Sequence, residues 1–329
     1  MISDISNFSK TVVSDGGRIV PLLVPSSSII GPSLTNPSIL YHNNQLLVNL
    51  RNVNYVLYHA ERGVNEHVWG PLCYLHTETH QVLATHNILC ELDNNFNIVS
   101  HSIIDTKSLD VQPLWEFVGL EDGRLAYWDN KLFLIGVRRD TTPNGQGRME
   151  LSEIVYADNK WQEISRQRMP APGPDSSYCE KNWMPVIDQP YTFVKWTNPT
   201  EVAVYNPVEK TTITTILTEY QQLNTRDLRG GSQVIPYNDY YLSLTHEVDL
   251  FKSEAGRKNA IYRHRFILWD KNFQLVKISP LFDFMDGGVE FVCGMTEYND
   301  QILITFGFQD NASYLVAANK ETINRLIKI

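Results

Sequence analysis

The chain has 329 residues, is 43% hydrophobic and 20% charged, and carries 28 Lys and Arg against 37 Asp and Glu. That hydrophobic share supports a large core and argues against a disordered chain. A formal charge of −9 argues against a surface that grips nucleic acid or an anionic membrane; a local basic pocket for a small anion stays open.

The N-terminal segment carries Asp4 and has no basic stretch followed by an apolar run. No secretory leader is read there, and the cytoplasm is the expected compartment. The apolar stretch Ile19 to Ile30 contains Pro21 and Pro25 and is too short to span a bilayer. From Ser38 onward, β-branched and aromatic runs alternate with short turn-forming groups, which is a strand and hairpin pattern. Five hairpins look alike. They run from Ser38 to Val53 (turn Asn43-Asn44), Leu120 to Arg139 (Asp129-Asn130) and Lys181 to Pro199 (Asp188-Gln189-Pro190). The last two run from Gly230 to Val248 (Asn238-Asp239) and from Gly288 to Asp310 (Asn299-Asp300). Second hairpins follow, as at Cys90 to Asp105, Ser152 to Met169 and Arg263 to Leu281. Only Thr215 to Leu223 and the C-terminal stretch from Lys320 read as helical.

Five units of two hairpins predict an all-β fold, a five-bladed β-propeller of four-stranded antiparallel blades. The repeat spacing is too irregular for a regular sequence-level array. Residues 36–329 are expected to form the propeller, and residues 1–35 an extension covering a neighbouring blade or a partner subunit of a homo-oligomer. Inner strands line the channel of a propeller, so the polar groups at their ends should converge. Those groups are Asn36 and Arg51 with Asn52, Asn54 and Tyr55, then Glu121, Asp122, Arg124 and Arg139, then Lys181, Asn182 and Trp183, then Arg229, Gln233 and His246, and lastly Glu290 and Asp310.

A hydrolase needs two carboxylates. Strand alternation lets only one of Glu121 and Asp122 face the channel, which leaves Glu290 as the partner. The cations Arg51, Arg139 and Lys181, with His246, suit an anion such as phosphate. If that anion attacks the anomeric carbon, one acid on the leaving oxygen suffices.

These residues resemble the five-bladed β-mannoside phosphorylases and their β-1,2-mannosidase and β-1,2-mannosyltransferase relatives. Gly119-Leu120-Glu121-Asp122-Gly123-Arg124 is similar to the G-x-E-D-P-R motif of that superfamily. Asn36-Pro37 with Arg51, Lys181-Asn182-Trp183 with Pro185, and Gly230-Gly231 leading to His246 resemble other family segments. So do Tyr262-Arg263, Phe291 to Gly294, and Phe306 to Asp310, all in family order over roughly residues 36–329. The resemblance implies inverting glycosyl transfer on a β-linked, mannose-containing glycan. Asp122 is then the general acid; Arg51, Arg139, Lys181, His246 and Tyr262 line the anion and sugar subsites, and Asp310 binds sugar hydroxyls. The co-substrate is phosphate or a sugar nucleotide, with no cofactor. Gly123 departs from the family proline and Glu247 from a glycine, so sugar-nucleotide transfer and hydrolysis, the latter through Asp122 and Glu290, stay open. A glycan-binding propeller without catalysis is the remaining alternative.

Other features point elsewhere. Cys73, Cys90, Cys179 and Cys293 are scattered without metal-ligand spacing and read as free thiols. His76, His80 and His86 fit a structural or loop role better than a metal site. Trp69, Trp115, Trp183 and Trp196 are candidates either for stacking on sugar faces or for core packing. The stretch Asn144 to Gly147 lacks the strand–helix setting of a phosphate loop and reads as a mobile loop.

Overall fold

A computed structural model describes residues 7–31, 33–57, 65–67, 70–74, 82–174, 176–220, 223, 225, 227–252 and 258–328. His76, His80 and Trp69, singled out above, lie outside these residues, and so does the side chain of Cys73.

Five antiparallel sheets follow one another along the chain and form a five-bladed β-propeller. Blade I comprises Ser33–His42, Gln45–Val53, Leu83–Leu92 and Ile98–Ile103, and blade II comprises Leu120–Trp128, Lys131–Arg138, Arg148–Ala157 and Lys160–Arg168. Blade III has a short inner strand, Met184–Pro185, then Thr192–Thr197, Thr200–Asn206 and Thr211–Thr218. The inner edge of blade IV is split into Arg229–Gly230 and Ile235–Tyr237, both pairing with Tyr240–Lys252; Lys258–Trp269 and Leu275–Ile278 complete it. Gly230 marks a close approach between blades: a Cβ there would lie 1.9 Å from the Asn182 carbonyl oxygen.

Blade V takes Glu290–Tyr298, Gln301–Phe308 and Ala312–Asn319 from the end of the chain and its outer strand, Arg18–Pro21, from the beginning. The segment 1–35, read from sequence as an extension, therefore contributes one strand to blade V and residues 33–35 to blade I. The preceding helix Phe8–Ser14 lays Phe8 among Phe266, Phe282 and Phe284, with ring centroids 4.8–5.9 Å apart. At the other end, Lys320–Ile327 is helical and buries Ile323, Leu326 and Ile327. Thr211–Thr218 is a strand, not a helix: its β-branched residues pair along Thr200–Asn206. Between the second and third strands of blade I lies a small sheet of Tyr55–Leu57, Asn65–His67 and Gly70–Tyr74.

Apolar clusters fill the spaces between adjacent blades, and one of them joins blades I and V through Ile39, Val48, Leu303 and Leu315. On the axis, the fully buried Gln233 of blade IV donates from Nε2 to Ser38 Oγ, the Ile39 carbonyl and the Leu125 carbonyl. Its Oε1 accepts from the Met295 amide at 2.8 Å. One amide side chain thus ties four blades together and closes the channel beneath the site.

Candidate active site

All five blades, or the connections entering them, line a cavity of about 330 Å3 at one mouth of the channel. It gathers Asn36, Arg51, Tyr55, Glu121, Asp122, Arg139, Lys181, Asn182, Arg229, His246, Tyr262 and Asp310, all sequence candidates.

A repeated backbone device positions its polar floor. Asn36, Asp122 and Asn182 stand at the start of successive inner strands and all have positive φ, 47°, 51° and 61°. Asx residues accept this left-handed conformation more readily than other non-glycine residues. In blades I and II the register shifts at that point, between Thr35 and Ser38 and between Glu121 and Arg124. The shift overturns the expectation that only one of Glu121 and Asp122 faces the channel. A bulge breaks the two-residue alternation, and both carboxylates line the cavity.

Asp122 Oδ1 accepts hydrogen bonds from Arg51 Nη1 at 2.8 Å and from Asn36 Nδ2 at 2.7 Å. Burial opposes its ionisation, but Arg51, the Asn36 hydrogen bond, Lys181 and Arg124 outweigh burial and hold the carboxyl below its ordinary range. Arg51 also donates to Tyr55 Oη at 2.6 Å and lies 3.7 Å from Glu121. Arg139 Nε stands 3.7 Å from the other Glu121 oxygen, and its Nη2 donates to Cys179 Sγ at 3.2 Å. Asp310, with positive φ of 49°, behaves differently. Burial and the nearby Asp122 charge push its carboxyl up to about 6, against the pull of Arg51 and Lys181.

His246 is buried, stacks on Tyr262 with centroids 5.6 Å apart and meets the edge of Phe291 at 4.9 Å. Burial and neighbouring His264, Lys181 and Arg229 hold its pKa well below the ordinary value. His246 is therefore a neutral hydrogen-bonding group at neutral pH, not one of the cations expected from sequence. Glu247 faces away and pairs with Arg265 at 2.6 Å, so its charge is spent outside the cavity.

Six sequence candidates do not line the cavity, among them Gln233, placed on the axis above, and Asn54, which bonds the Val82 carbonyl and the Ala84 amide. Asn52 is fully buried and bonds the Gly31 and Ser33 carbonyls and the Ile30 amide. Arg124 sits below the floor, donating to the Gly231 carbonyl at 2.7 Å and to the Asp122 carbonyl at 2.8 Å. Trp183 is core, with its Nε1 on Glu180. Glu290 accepts from the amides of Phe284, Met285 and Gly287 at 2.6–2.9 Å and holds that loop. Asn52, Arg124 and Glu290 thus spend their polar atoms on backbone groups that would otherwise be left unmet.

The cavity wall holds residues that sequence reasoning passed over, Phe117, Tyr178, Val248 and Leu250, together with Phe291, quoted only within a family segment, and Trp115, noted only as one of several tryptophans. Phe117, Tyr178 and Trp115 lie in connections between blades, where no periodicity marks them. Among the described residues no cluster of three or more His, Cys, Asp or Glu side chains has metal-binding geometry. Cys90 and Cys293 are buried, free and pushed up to about 12 by burial; Cys179 is free and beside Arg139.

No protein-family model and no curated protein matches the sequence. Solved structures do match over nearly the whole chain. β-1,2-Mannobiose phosphorylase from Listeria innocua is similar at a TM-score of 0.56 and 11% identity, covering 94% of this chain and 96% of that one. A structure described for the GH130 family of mannoside phosphorylases, with glycoside hydrolases that target β-1,2 mannosidic linkages, reaches 0.59 at 13% identity, covering 92% and 91%. A glycosyl hydrolase from Bacteroides ovatus reaches 0.57 at 10% identity, covering 92% and 91%. The shared property at this identity is the five-bladed fold.

Proposed function

We propose that this chain is a carbohydrate-active enzyme of the GH130 kind, catalysing inverting glycosyl transfer on a β-linked, mannose-containing glycan. The observation that carries this reading is Asp122, on its bulge in the cavity lining, bonded to Arg51 and Asn36, with Lys181, Arg139 and Arg229 in the same lining. The fold shared with a β-1,2-mannobiose phosphorylase supports it.

In the proposed reaction, an anionic co-substrate, phosphate or the diphosphate of a sugar nucleotide, is held by the cations. With phosphate, a phosphate oxygen forms a bond to the anomeric carbon as the glycosidic C–O bond breaks on the opposite face. The leaving oxygen takes a proton originating from Asp122, directly or through a sugar hydroxyl. An acid must hold that proton before it gives it, whereas Arg51 favours the ionised form of Asp122. A bound anion draws on the same guanidinium and on Lys181, which raises the Asp122 pKa when co-substrate is present. Asp310 offers sugar hydroxyls a second carboxyl.

Hydrolysis is the second reading, favoured by the three carboxylates of the cavity, Glu121, Asp122 and Asp310. Glu290 is no part of it, because its oxygens are committed to the 284–287 backbone.

The test incubates the protein with β-1,2-mannobiose with and without phosphate, and with GDP-mannose plus manno-oligosaccharide acceptors, and follows the products. Phosphate-dependent mannose 1-phosphate marks phosphorolysis, consumption of GDP-mannose with acceptor extension marks transfer, and phosphate-independent mannose marks hydrolysis. Binding without turnover in all three overturns the catalytic reading in favour of a glycan-binding propeller.

A further inference from the structure

The polar floor of the channel cavity gives way to an aliphatic wall on blade IV. Tyr240–Lys252 pairs with Lys258–Trp269 without a register shift, so its side chains alternate and His246, Val248 and Leu250 share one face. All three line the cavity. They climb from floor to rim: His246 is 2% exposed, Val248 half-buried and Leu250 57% exposed. At the strand rise this strip runs about 13 Å. Tyr262 stands level with Val248 on the next strand and widens it, while Asp249 and Phe251 fall on the opposite face.

Apolar clusters join blades I to II, II to III, III to IV, IV to V and V to I, so the blades follow chain order around the ring. In a ring of five, blade IV stands opposite the junction of blades I and II. That junction presents Trp115 and Phe117 to the cavity. Phe117–Val118 pairs with Leu83–Ala84 of blade I, and Phe117 meets Tyr55 edge-on with centroids 5.9 Å apart. Trp115 packs on Gly145 of a blade II loop, where a Cβ would lie 2.4 Å from the ring. An aromatic wall suits a sugar face and a hydrocarbon alike. The aliphatic wall across from it separates the two. Val248 and Leu250 offer sugar hydroxyls no hydrogen-bond partner, and hydroxyls that lose water without one are costly. A hydrocarbon loses nothing there and gains from the apolar area it covers. The cations of the lining stand lower: Arg229 is in register with His246, and the Arg51 and Arg139 side chains are largely buried.

We propose that the outer part of this cavity, between the Trp115–Phe117 and Val248–Leu250 walls, binds an apolar aglycone, so that the glycan acted on is a β-mannoside carried on a hydrophobic alcohol. This rests on the mannoside reading above, which places the sugar on the polar floor; the walls add the chemistry of the group bonded to it, aryl or alkyl in place of a second sugar.

The test is calorimetric titration of the full chain in phosphate-free buffer with methyl, hexyl and phenyl β-mannoside and with β-1,2-mannobiose. Hexyl or phenyl mannoside should bind at least tenfold tighter than methyl mannoside and tighter than mannobiose, and the larger of the two gains tells an alkyl from an aryl group. Leu250→Asn, at an exposed position, should cut the hexyl-to-methyl preference at least threefold. Phe251→Asn, on the other face of the same strand, should leave that preference in place. Methyl and hexyl β-galactoside test the sugar separately: the same tail preference with galactoside binding as tightly as mannoside keeps the apolar subsite and removes the mannoside reading. Mannobiose binding as tightly as hexyl mannoside, no gain of hexyl or phenyl over methyl, or an equal loss of preference in Leu250→Asn and Phe251→Asn overturns the proposal.

Discussion

Asp122 and Asp310 share one cavity and one arginine, yet their environments push them in opposite directions. Arg51 and Asn36 bond Asp122 directly, whereas among the described residues no hydrogen bond to the Asp310 carboxyl offsets its burial, and Asp122 repels it. Asp122→Asn keeps the shape and one acceptor but removes the proton to be donated. Turnover in whichever assay is positive should fall at least about 10²–10⁴-fold while glycan affinity measured by calorimetry stays within a few-fold. A fall in affinity equal to the fall in turnover would assign Asp122 to binding alone. Asp310 makes a separate prediction for stability. Its folded pKa, about 6, lies above the ordinary value of 3.8, so between these values the folded state holds a proton the unfolded state has lost. Stability from this group is full below about 3.8 and falls as pH rises to about 6, by at most about 3 kcal/mol given its partial exposure. Asp310→Asn should therefore raise the melting temperature at pH 7.5 and change it little at pH 4. Equal effects at the two pH values would contradict the shift.

Hairpin turns show why so much of the fold could be read from local sequence. Asn43-Asn44, Asp129-Asn130, Asp158-Asn159 and Asn299-Asp300 each place both residues at positive φ, between 45° and 61°. Two-residue turns of this hand match the twist of the flanking strands, and Asx residues tolerate them. Asn130 is exposed, so its substitution reports backbone conformation with little interference from packing. Asn130→Gly should leave chemical-denaturation stability within about 0.5 kcal/mol, and Asn130→Val should cost about 1–2 kcal/mol. A neutral valine would mean that the turn has another conformation. The same locality sets the limit of what sequence reveals. Whether Asp122 faces the cavity depends on a bulge that forms only when two strands pair, and a lone strand predicts alternation instead. Arg124 stands beside site residues in sequence, but the Gly231 carbonyl that engages it lies 107 residues away, and the 284–287 amides that engage Glu290, though close in sequence, belong to a loop that no periodicity announces. Arg18–Pro21 has no hairpin partner next to it in sequence; its partner lies some three hundred residues later. Thr211–Thr218 fails differently, because its polar outer face hides the strand pattern that pairing makes plain.

At the scale of the whole molecule, a propeller must close its ring and fix its blades around the axis, and different residues serve these two needs. Closure comes from pairing Arg18–Pro21 with Tyr314–Ala317, with Phe8 fastening the preceding helix over blades IV and V. Phe8→Ala removes a fully buried ring and should cost about 3–5 kcal/mol. The axis depends on Gln233, whose amide satisfies groups in blades I, II and V at once. Gln233→Leu preserves volume but strands those groups at about 1–3 kcal/mol each, with partial relief where an alternative partner lies nearby. Both variants should therefore melt at lower temperature, and stability alone does not separate them. Ligand binding does. Gln233 lies directly beneath strands that present Asn36, Asp122 and Phe291, so its loss lets the blades shift relative to one another, and affinity for a cavity ligand should fall along with stability. Phe8 lies on the periphery, and the folded fraction of Phe8→Ala should bind with unchanged affinity in calorimetry at a temperature well below its melting point. Equal affinity in both variants would show that the site is held by blades I and II alone, through the Arg51–Asp122–Asn36 contacts, and that the axial amide serves stability only.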